Sequence, residues 1–101
     1  MIAYPFNTEK LVKICRANDI SMVGVFGSMA RGDDTAKSDI DLVVKFAKRT
    51  GFFALVRLER ELSDALGRKV DLLTENAISP YLREEILGDL QVIHQGVESA
   101  F

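Results

Sequence analysis

The chain has 101 residues, of which 48% are apolar and 28% charged, so it can form one globular domain with a real core but no large second domain. Its net charge of −2 argues against nucleic acid as a direct partner, because phosphate backbones favour a basic surface. The single cysteine excludes a disulfide framework. No apolar run reaches the ~20 residues that cross a bilayer, and the start has no signal-peptide pattern. We therefore expect one domain over residues 1–101, in the cytoplasm and without a membrane partner.

The first half of the chain predicts two helices and two strands. A helix capped by an asparagine covers residues 7–18, and a strand follows over 21–26. A short helix begins at Ser28, and the polar residues 32–37 form a loop. Residues 39–46 give the clearest strand pattern. Its apolar side chains alternate onto one face: Ile40, Leu42, Val44 and Phe46.

The second half continues the alternation of helices and strands. Residues 52–66 form an amphipathic helix, and residues 69–73 form a short strand. A helix over 79–88 begins at a Ser-Pro pair, with serine as N-cap and proline as first helical residue. Residues 91–93 add an edge strand. This order predicts an α/β (α+β) fold with helices packed on a mixed sheet, and it leaves the strand directions open.

Asp39 and Asp41 are the most informative pair of residues. They are two apart on a strand, so their side chains leave the same face. Carboxylates about 6 Å apart repel by on the order of 3 kcal/mol at an effective dielectric near 20. That is a large cost for a small domain with ~5–15 kcal/mol of total stability. A divalent cation turns the repulsion into attraction, so the pair indicates a metal site.

Asp71 extends this pattern to a second strand. It lies between two apolar residues and faces away from them, as Asp39 and Asp41 do on their own strand. If the strands pair, three hard oxygen donors meet on one surface, which suits Mg²⁺ better than zinc because no cysteine or histidine is nearby. The alternative is that Asp71 is a surface carboxylate paired with Arg68 or Lys69.

A glycine followed by a serine supplies a second component. Gly27 ends a strand and Ser28 opens a helix, which points free backbone N–H groups at a ligand and suits phosphate. Arg31 lies about one turn further on and can reach a triphosphate, although a salt bridge to Asp33 or Asp34 is an equal alternative. The segment is not a P-loop, because Gly-Lys-Ser/Thr is absent. Carboxylates beside a phosphate cradle predict metal-dependent phosphoryl or nucleotidyl transfer.

The paired motif resembles that of a known family. Gly27-Ser28, ten further residues and then Asp39-Ile40-Asp41 are similar to the G-S-x(10)-D-x-D signature of polymerase-beta-like nucleotidyltransferases. The strings GSMARG and SDIDLVV look like the minimal nucleotidyltransferases, called MNT proteins. The later stretches 66–72 and 79–83 also resemble that subgroup. The resemblance spans roughly residues 23–93.

The resemblance implies a site and a partner. In the family, the residues matching Asp39 and Asp41 bind magnesium, and the residue matching Asp71 completes the site and acts as general base. Those matching Gly27 and Ser28 hold the nucleotide phosphates. MNT proteins commonly form the antitoxin half of a pair with a helical HEPN-domain RNase toxin, to which they transfer AMP from ATP onto a tyrosine. The resemblance thus implies Mg²⁺ as cofactor, ATP as co-substrate and a HEPN toxin as partner.

Two alternatives remain beside this enzymatic hypothesis. The chain could neutralise a toxin by binding alone, with a nucleotide site that is not needed. It could instead be the nucleotidyltransferase subunit of an enzyme that modifies a small molecule, with the acceptor held by a separate helical subunit. Loss of rescue in a catalytic variant would separate the first alternative from the enzyme, and acceptor screening would test the second.

Overall fold

A computed structural model describes residues 4–95, which form a four-stranded sheet and its covering helices. None of the helices within this range is long and apolar enough to span a bilayer. The elements follow the predicted alternation along the chain. They are α1 (Thr8–Ala17), β1 (Ile20–Phe26), α2 (Ser28–Arg31), β2 (Ile40–Phe46), α3 (Phe52–Leu66), β3 (Val70–Thr74), a 3₁₀ turn (Glu75–Ala77), α4 (Arg83–Asp89) and β4 (Gln91–Gln95).

The sheet is mixed, with strand order β3-β2-β1-β4. β1 runs antiparallel to both β2 and β4, whereas β2 and β3 are parallel. The long α3 crossover is what permits the parallel pair. In this register Asp41 lies beside Asp71 across the β2–β3 pair and beside Phe26 across the β1–β2 pair.

The main core lies between one face of the sheet and helices α1 and α3. The two-residue period of the strands directs alternate apolar side chains into it, as the sequence predicts. Its buried strand residues include Val23, Val25, Ile40, Leu42, Val44, Val70 and Leu72. Cys15 of α1 is fully buried there, and burial raises the pKa of its thiol to about 12, so it acts as a small apolar side chain.

A smaller core covers the middle of the opposite face. Val43 of β2 packs there against Ile78 and Ile86, which come from the segment around α4. Asp39 and Asp41 are separated from Val43 by steps of two, so alternation directs them to this same face. The candidate site therefore lies on the α4 side of the sheet, away from the main core.

The free edge of β3 is covered by α3. The backbone N–H groups of Val70 and Leu72 donate to Ser63 Oγ and Glu59 Oε2, both at 3.0 Å. Ser63 in turn donates to the Glu59 carbonyl at 2.8 Å. An exposed strand edge is open to non-specific pairing, and these side chains close it. They also tie β3, the strand that carries Asp71, to α3.

Two predicted element starts near the site differ from the structure. The helix does not begin at Ser79 with Pro80 as its first residue; α4 begins at Arg83. Ser79 instead closes a separate turn, in which Tyr81 N–H donates to Ser79 Oγ at 3.3 Å and Leu82 N–H to the Ser79 carbonyl at 3.0 Å. This turn lies between Ile78 and Ile86, and both of these side chains are buried in the smaller core. The strand predicted over 39–46 begins at Ile40 in the structure, one residue later than expected, so Asp39 precedes β2.

Candidate active site

The turn between β1 and α2 brings the backbone close to Asp41. Gly27 has φ +76° and ψ −150°, a conformation that side-chain-bearing residues avoid. A Cβ built on this glycine would lie 2.5 Å from Asp41 Oδ2, so the aspartate side chain would have to move away. Both the backbone angles at position 27 and the closeness of Asp41 therefore favour glycine there. The predicted phosphate turn and the predicted acidic residues thus lie against each other.

Asp41 and Asp71 are side-by-side neighbours on the parallel strands β2 and β3. Both are half-buried, and their side chains leave the face opposite the main core. The proposed surface pairing of Asp71 is only marginal, since Lys69 Nζ lies 4.0 Å from Asp71 Oδ1 and is largely exposed. The structure therefore brings together two aspartates that are 30 residues apart in the sequence, as the strand pattern predicts.

The pKa of Asp41 is shifted by burial and by nearby charged residues. Burial raises the pKa of Asp41, and the negative charges of Asp71 and Asp39 raise it further. The positive charge of Arg31 lowers this pKa and so opposes the shift. Repulsion between the carboxylates is therefore present in the folded chain and is only partly offset by Arg31.

The carboxylate oxygens at this site are the type of ligand that binds a hard divalent cation. Carboxylate oxygens are the ligands that Mg²⁺ prefers, and Gly27 places no side chain in the space beside Asp41. Within residues 4–95, however, no three carboxylate, histidine or cysteine side chains are already arranged around one point as a metal cluster. Asp41 and Asp71 make a contact, and Asp39 is within electrostatic range of Asp41. A shared ion would require side-chain rotation of these aspartates.

Arg31 is held by two carboxylates. Its Nη1 donates to Asp89 Oδ2 at 2.7 Å, and its Nε donates to Asp33 Oδ2 at 3.3 Å. The bond to Asp89, followed by that to Asp33, raises the pKa of Arg31. The salt bridge to Asp33 that the sequence allowed is present, and Asp89 is a partner that the sequence did not predict. A phosphate contact by Arg31 requires at least one of these pairs to exchange.

Arg68, which the sequence offers as an ion partner of Asp71, binds a loop instead. Its Nη1 donates to the carbonyl oxygens of Thr35 and Ser38, at 3.2 and 3.1 Å. Ser38 Oγ also accepts from the Thr35 N–H at 2.8 Å. Arg68 thus braces the loop that leads into Asp39. No local sequence pattern signals this, because the partners are about 30 residues apart and are backbone atoms.

A cavity of about 450 Å³ lies at the other end of the parallel strands. It is lined by residues 44–50 and 74–76, which include the basic side chains of Lys45, Lys48 and Arg49. None of the three aspartates lines it. This cavity therefore does not coincide with Asp39, Asp41 and Asp71. We place the candidate site at these aspartates because closely spaced carboxylates are the groups that suit metal-dependent phosphoryl transfer.

Comparison with known proteins decides the family. The sequence profile of the family described as polymerase beta, nucleotidyltransferase matches residues 9–98. The chain belongs to this nucleotidyltransferase family. The predicted fold class is confirmed, with the observed mixed sheet and its helices, and so is the prediction of a nucleotidyltransferase enzyme.

Relatives of this nucleotidyltransferase carry more specific names. A Methanocaldococcus jannaschii protein assigned as a protein adenylyltransferase is 39% identical over 81 residues, which is 80% of this chain and 87% of that protein. A solved structure assigned as a minimal nucleotidyltransferase is 34% identical, with a TM-score of 0.72, and the match covers 83% of this chain and 86% of that one. A crystal structure of a toxin–antitoxin with AMP-PNP is 27% identical, with a TM-score of 0.78, and the match covers 93% of this chain and 77% of that one.

Proposed function

We propose that this nucleotidyltransferase is an antitoxin of the MNT type that transfers AMP from ATP onto a tyrosine hydroxyl of a HEPN RNase toxin, with Mg²⁺ as cofactor. The protein adenylyltransferase name of the M. jannaschii relative supports AMP as the transferred group and a protein as the acceptor. The toxin–antitoxin structure with AMP-PNP supports a toxin as the partner and an adenine nucleotide as the substrate. The resemblance of the GSMARG and SDIDLVV strings to MNT proteins supports the HEPN class of toxin.

One observation carries the proposal. The turn at Gly27 touches the Asp41 carboxylate, and Asp41 lies beside Asp71 on the neighbouring strand. A nucleotide triphosphate on this turn therefore has its phosphates next to the acidic residues. The Gly27-Ser28 turn and the aspartates, each a weak signal alone in the sequence, therefore lie next to each other in the fold.

The roles follow from the position of each residue. Gly27 and Ser28 bind the triphosphate through backbone N–H groups and the serine hydroxyl. Arg31 contacts the phosphates after exchanging Asp33 or Asp89 for the ligand. Asp39, Asp41 and Asp71 would hold Mg²⁺, which when bound would supply positive charge beside the phosphates.

The reaction is a displacement at the α-phosphorus of ATP. The tyrosine oxygen of the acceptor forms a bond to that phosphorus, the bond to the β-phosphate oxygen breaks, and pyrophosphate leaves with the bonding electrons. Asp71 takes the proton of the acceptor hydroxyl, since a half-buried carboxylate beside Asp41 can be reached by an acceptor from solvent. Gly27 and Ser28 hold the triphosphate in line during the transfer.

The test is transfer of label from α-labelled ATP to a HEPN toxin in the presence of Mg²⁺. The wild-type chain should label the toxin, and the double variant Asp39→Asn with Asp41→Asn should reduce labelling at least a hundredfold while remaining folded by circular dichroism. Asp64→Asn, an exposed aspartate on α3, is the matched control and should label normally. Unchanged labelling by the double variant would refute the assigned site.

Rescue of cells from the toxin separates catalysis from binding. If AMP transfer neutralises the toxin, the double variant should fail to rescue growth at wild-type expression levels. Full rescue by that variant would support an antitoxin that acts by binding alone. Pyrophosphate release with small hydroxylated acceptors, but not with the toxin, would support the small-molecule alternative.

A further inference from the structure

Helix α2 is too short to hold its own position. It has four residues, Ser28–Arg31, and carries the proposed phosphate turn at its start. A single turn of helix is unstable by itself, and the carbonyl groups at its end lack partners within the helix. Its orientation must therefore come from contacts with other elements.

Gln91, the first residue of β4, supplies one of these contacts. Its Nε2 donates to the Ala30 carbonyl at 2.9 Å. A carbonyl oxygen only accepts, so the amide nitrogen faces α2 and Gln91 Oε1 faces away from it. The hydroxyl of Tyr4 donates to this Oε1, and burial raises the pKa of Tyr4 above its ordinary value. Tyr4 thus fixes the direction of the Gln91 amide.

The backbone of Gln91 is anchored independently of α2. It pairs with Val25 across the β1–β4 ladder, whose register shifts at Gly24. A Cβ on Gly24 would lie 3.2 Å from the Gln91 carbonyl oxygen and 2.6 Å from Leu90 Cδ1, so this glycine leaves room for the backbone of Gln91 and the side chain of Leu90. Asp89, two residues before Gln91, binds Arg31 at 2.7 Å. The α4–β4 junction therefore holds the end of α2 at two points.

We infer that Gln91 is a positioning residue for the phosphate turn, acting through the Ala30 carbonyl, and that Tyr4 acts through Gln91. This inference rests on the proposed function, in which the turn at Gly27 and Ser28 binds the nucleotide. Neither residue touches the nucleotide. Their effect is to set the angle at which α2 leaves β1 and so the direction of its N–H groups.

The experiment compares four proteins: wild type, Gln91→Met, Tyr4→Phe and the double variant. Methionine keeps the length and apolar volume of glutamine but cannot donate to Ala30. We expect Gln91→Met to raise KM for ATP by about three- to tenfold, with a smaller change in kcat, because a mispositioned turn loses ground-state contacts with phosphate. Tyr4→Phe should raise KM less, and the double variant should match Gln91→Met, because Tyr4 acts only through Gln91. Val92→Thr, at an exposed neighbouring position on β4, is the control and should leave KM unchanged.

Amide hydrogen exchange over residues 28–32 gives a readout that needs no activity. Gln91→Met should accelerate exchange there, whereas Val92→Thr should not.

Wild-type KM and exchange in Gln91→Met, or strictly additive effects of the two substitutions, would overturn the inference while leaving AMP transfer intact. A wild-type chain that transfers no AMP would instead refute the proposed function. The exchange data would then still test whether Gln91 holds α2 in place. If Gln91→Met does not fold, unchanged KM and exchange in Tyr4→Phe would overturn the inference.

Discussion

Asp41 occupies a position where folding and catalysis make opposite demands. The proposed chemistry needs several negative oxygens together, but burial and the charges of Asp71 and Asp39 disfavour the ionised form of Asp41, as its raised pKa records. Arg31 offsets part of this repulsion but is itself shared with Asp33 and Asp89. A divalent ion would remove the conflict. This combination of closely spaced carboxylates and incomplete compensation is typical of functional sites.

Replacing Asp41 with asparagine should therefore stabilise the metal-free chain. We expect Asp41→Asn in EDTA at pH 7 to raise the free energy of unfolding by a few tenths to about 1 kcal/mol, since solvent screens a half-exposed group. The gain should shrink as the pH falls through the raised pKa of Asp41, because protonation of the wild-type carboxyl relieves the same repulsion. Urea denaturation at several pH values measures this. A loss of stability in Asp41→Asn at pH 7, with Asp64→Asn unchanged, would contradict it.

Gly27 should be intolerant of even the smallest side chain. Gly27→Ala imposes a methyl group at φ +76° and 2.5 Å from Asp41 Oδ2, so we expect a loss of about 1–3 kcal/mol of stability together with loss of nucleotide binding. Gly88→Ala is the matched control: it lies in α4 with open space around the built Cβ, and it should be neutral or stabilising by about 0.5–1 kcal/mol. Thermal unfolding and calorimetric titration with AMP-PNP compare the two. Equal stability of both variants would show that the turn is not constrained.

At the scale of elements, periodicity predicted most of the fold. The bounds of α3 and the alternation of β2 follow directly from apolar spacing, and β4 was predicted as a short edge strand. The start of α4 was wrong because Ser79 forms a local turn that resembles a helix cap in sequence. Strand directions could not be predicted, since the parallel β2–β3 pair depends on how α3 crosses the sheet. No sequence pattern predicts the contacts of Arg68 and Gln91, because their partners are backbone carbonyls distant in sequence.

Arg68 gives a prediction at this scale. Arg68→Met keeps the aliphatic part of the side chain but loses both hydrogen bonds to the loop before Asp39. We expect faster amide exchange over residues 33–39, a loss of roughly 1 kcal/mol of stability and reduced AMP transfer. Arg60→Met, an exposed arginine on α3, is the control and should change none of these. Wild-type exchange in Arg68→Met would show that the loop is held by other contacts.

At the scale of the whole molecule, the described residues build a sheet, its covering helices and the candidate site. Residues 4–95 contain no separate helical unit beside the sheet and its covering helices. Under the proposed function, we expect the toxin itself to present the acceptor hydroxyl. The aspartates lie on the face that also carries α4, and that face is open to such a partner at Asp71. The sequence predicted the three acidic residues and the glycine turn, but only the fold shows that Gly27 and Asp41 touch.

Ligand binding should stabilise the folded chain through these residues. Mg²⁺ with AMP-PNP at about ten times the dissociation constant adds about 1.4 kcal/mol to the free energy of unfolding. For a domain of this size, that raises Tm by roughly 5–10 °C. The double variant Asp39→Asn with Asp41→Asn should show little of this rise in Mg²⁺, and Asp64→Asn should show all of it. An equal rise in Tm for the double variant would place the metal elsewhere.

The most direct test is the position of the ion itself. Crystals of the chain grown with Mn²⁺ and AMP-PNP should show anomalous density within about 2.5 Å of carboxylate oxygens of Asp39 and Asp41, beside the nucleotide phosphates on the turn at Gly27. Asp71 should turn toward the same density. Nucleotide bound at this turn with no manganese at the aspartates, or manganese bound at a different cluster, would contradict the account.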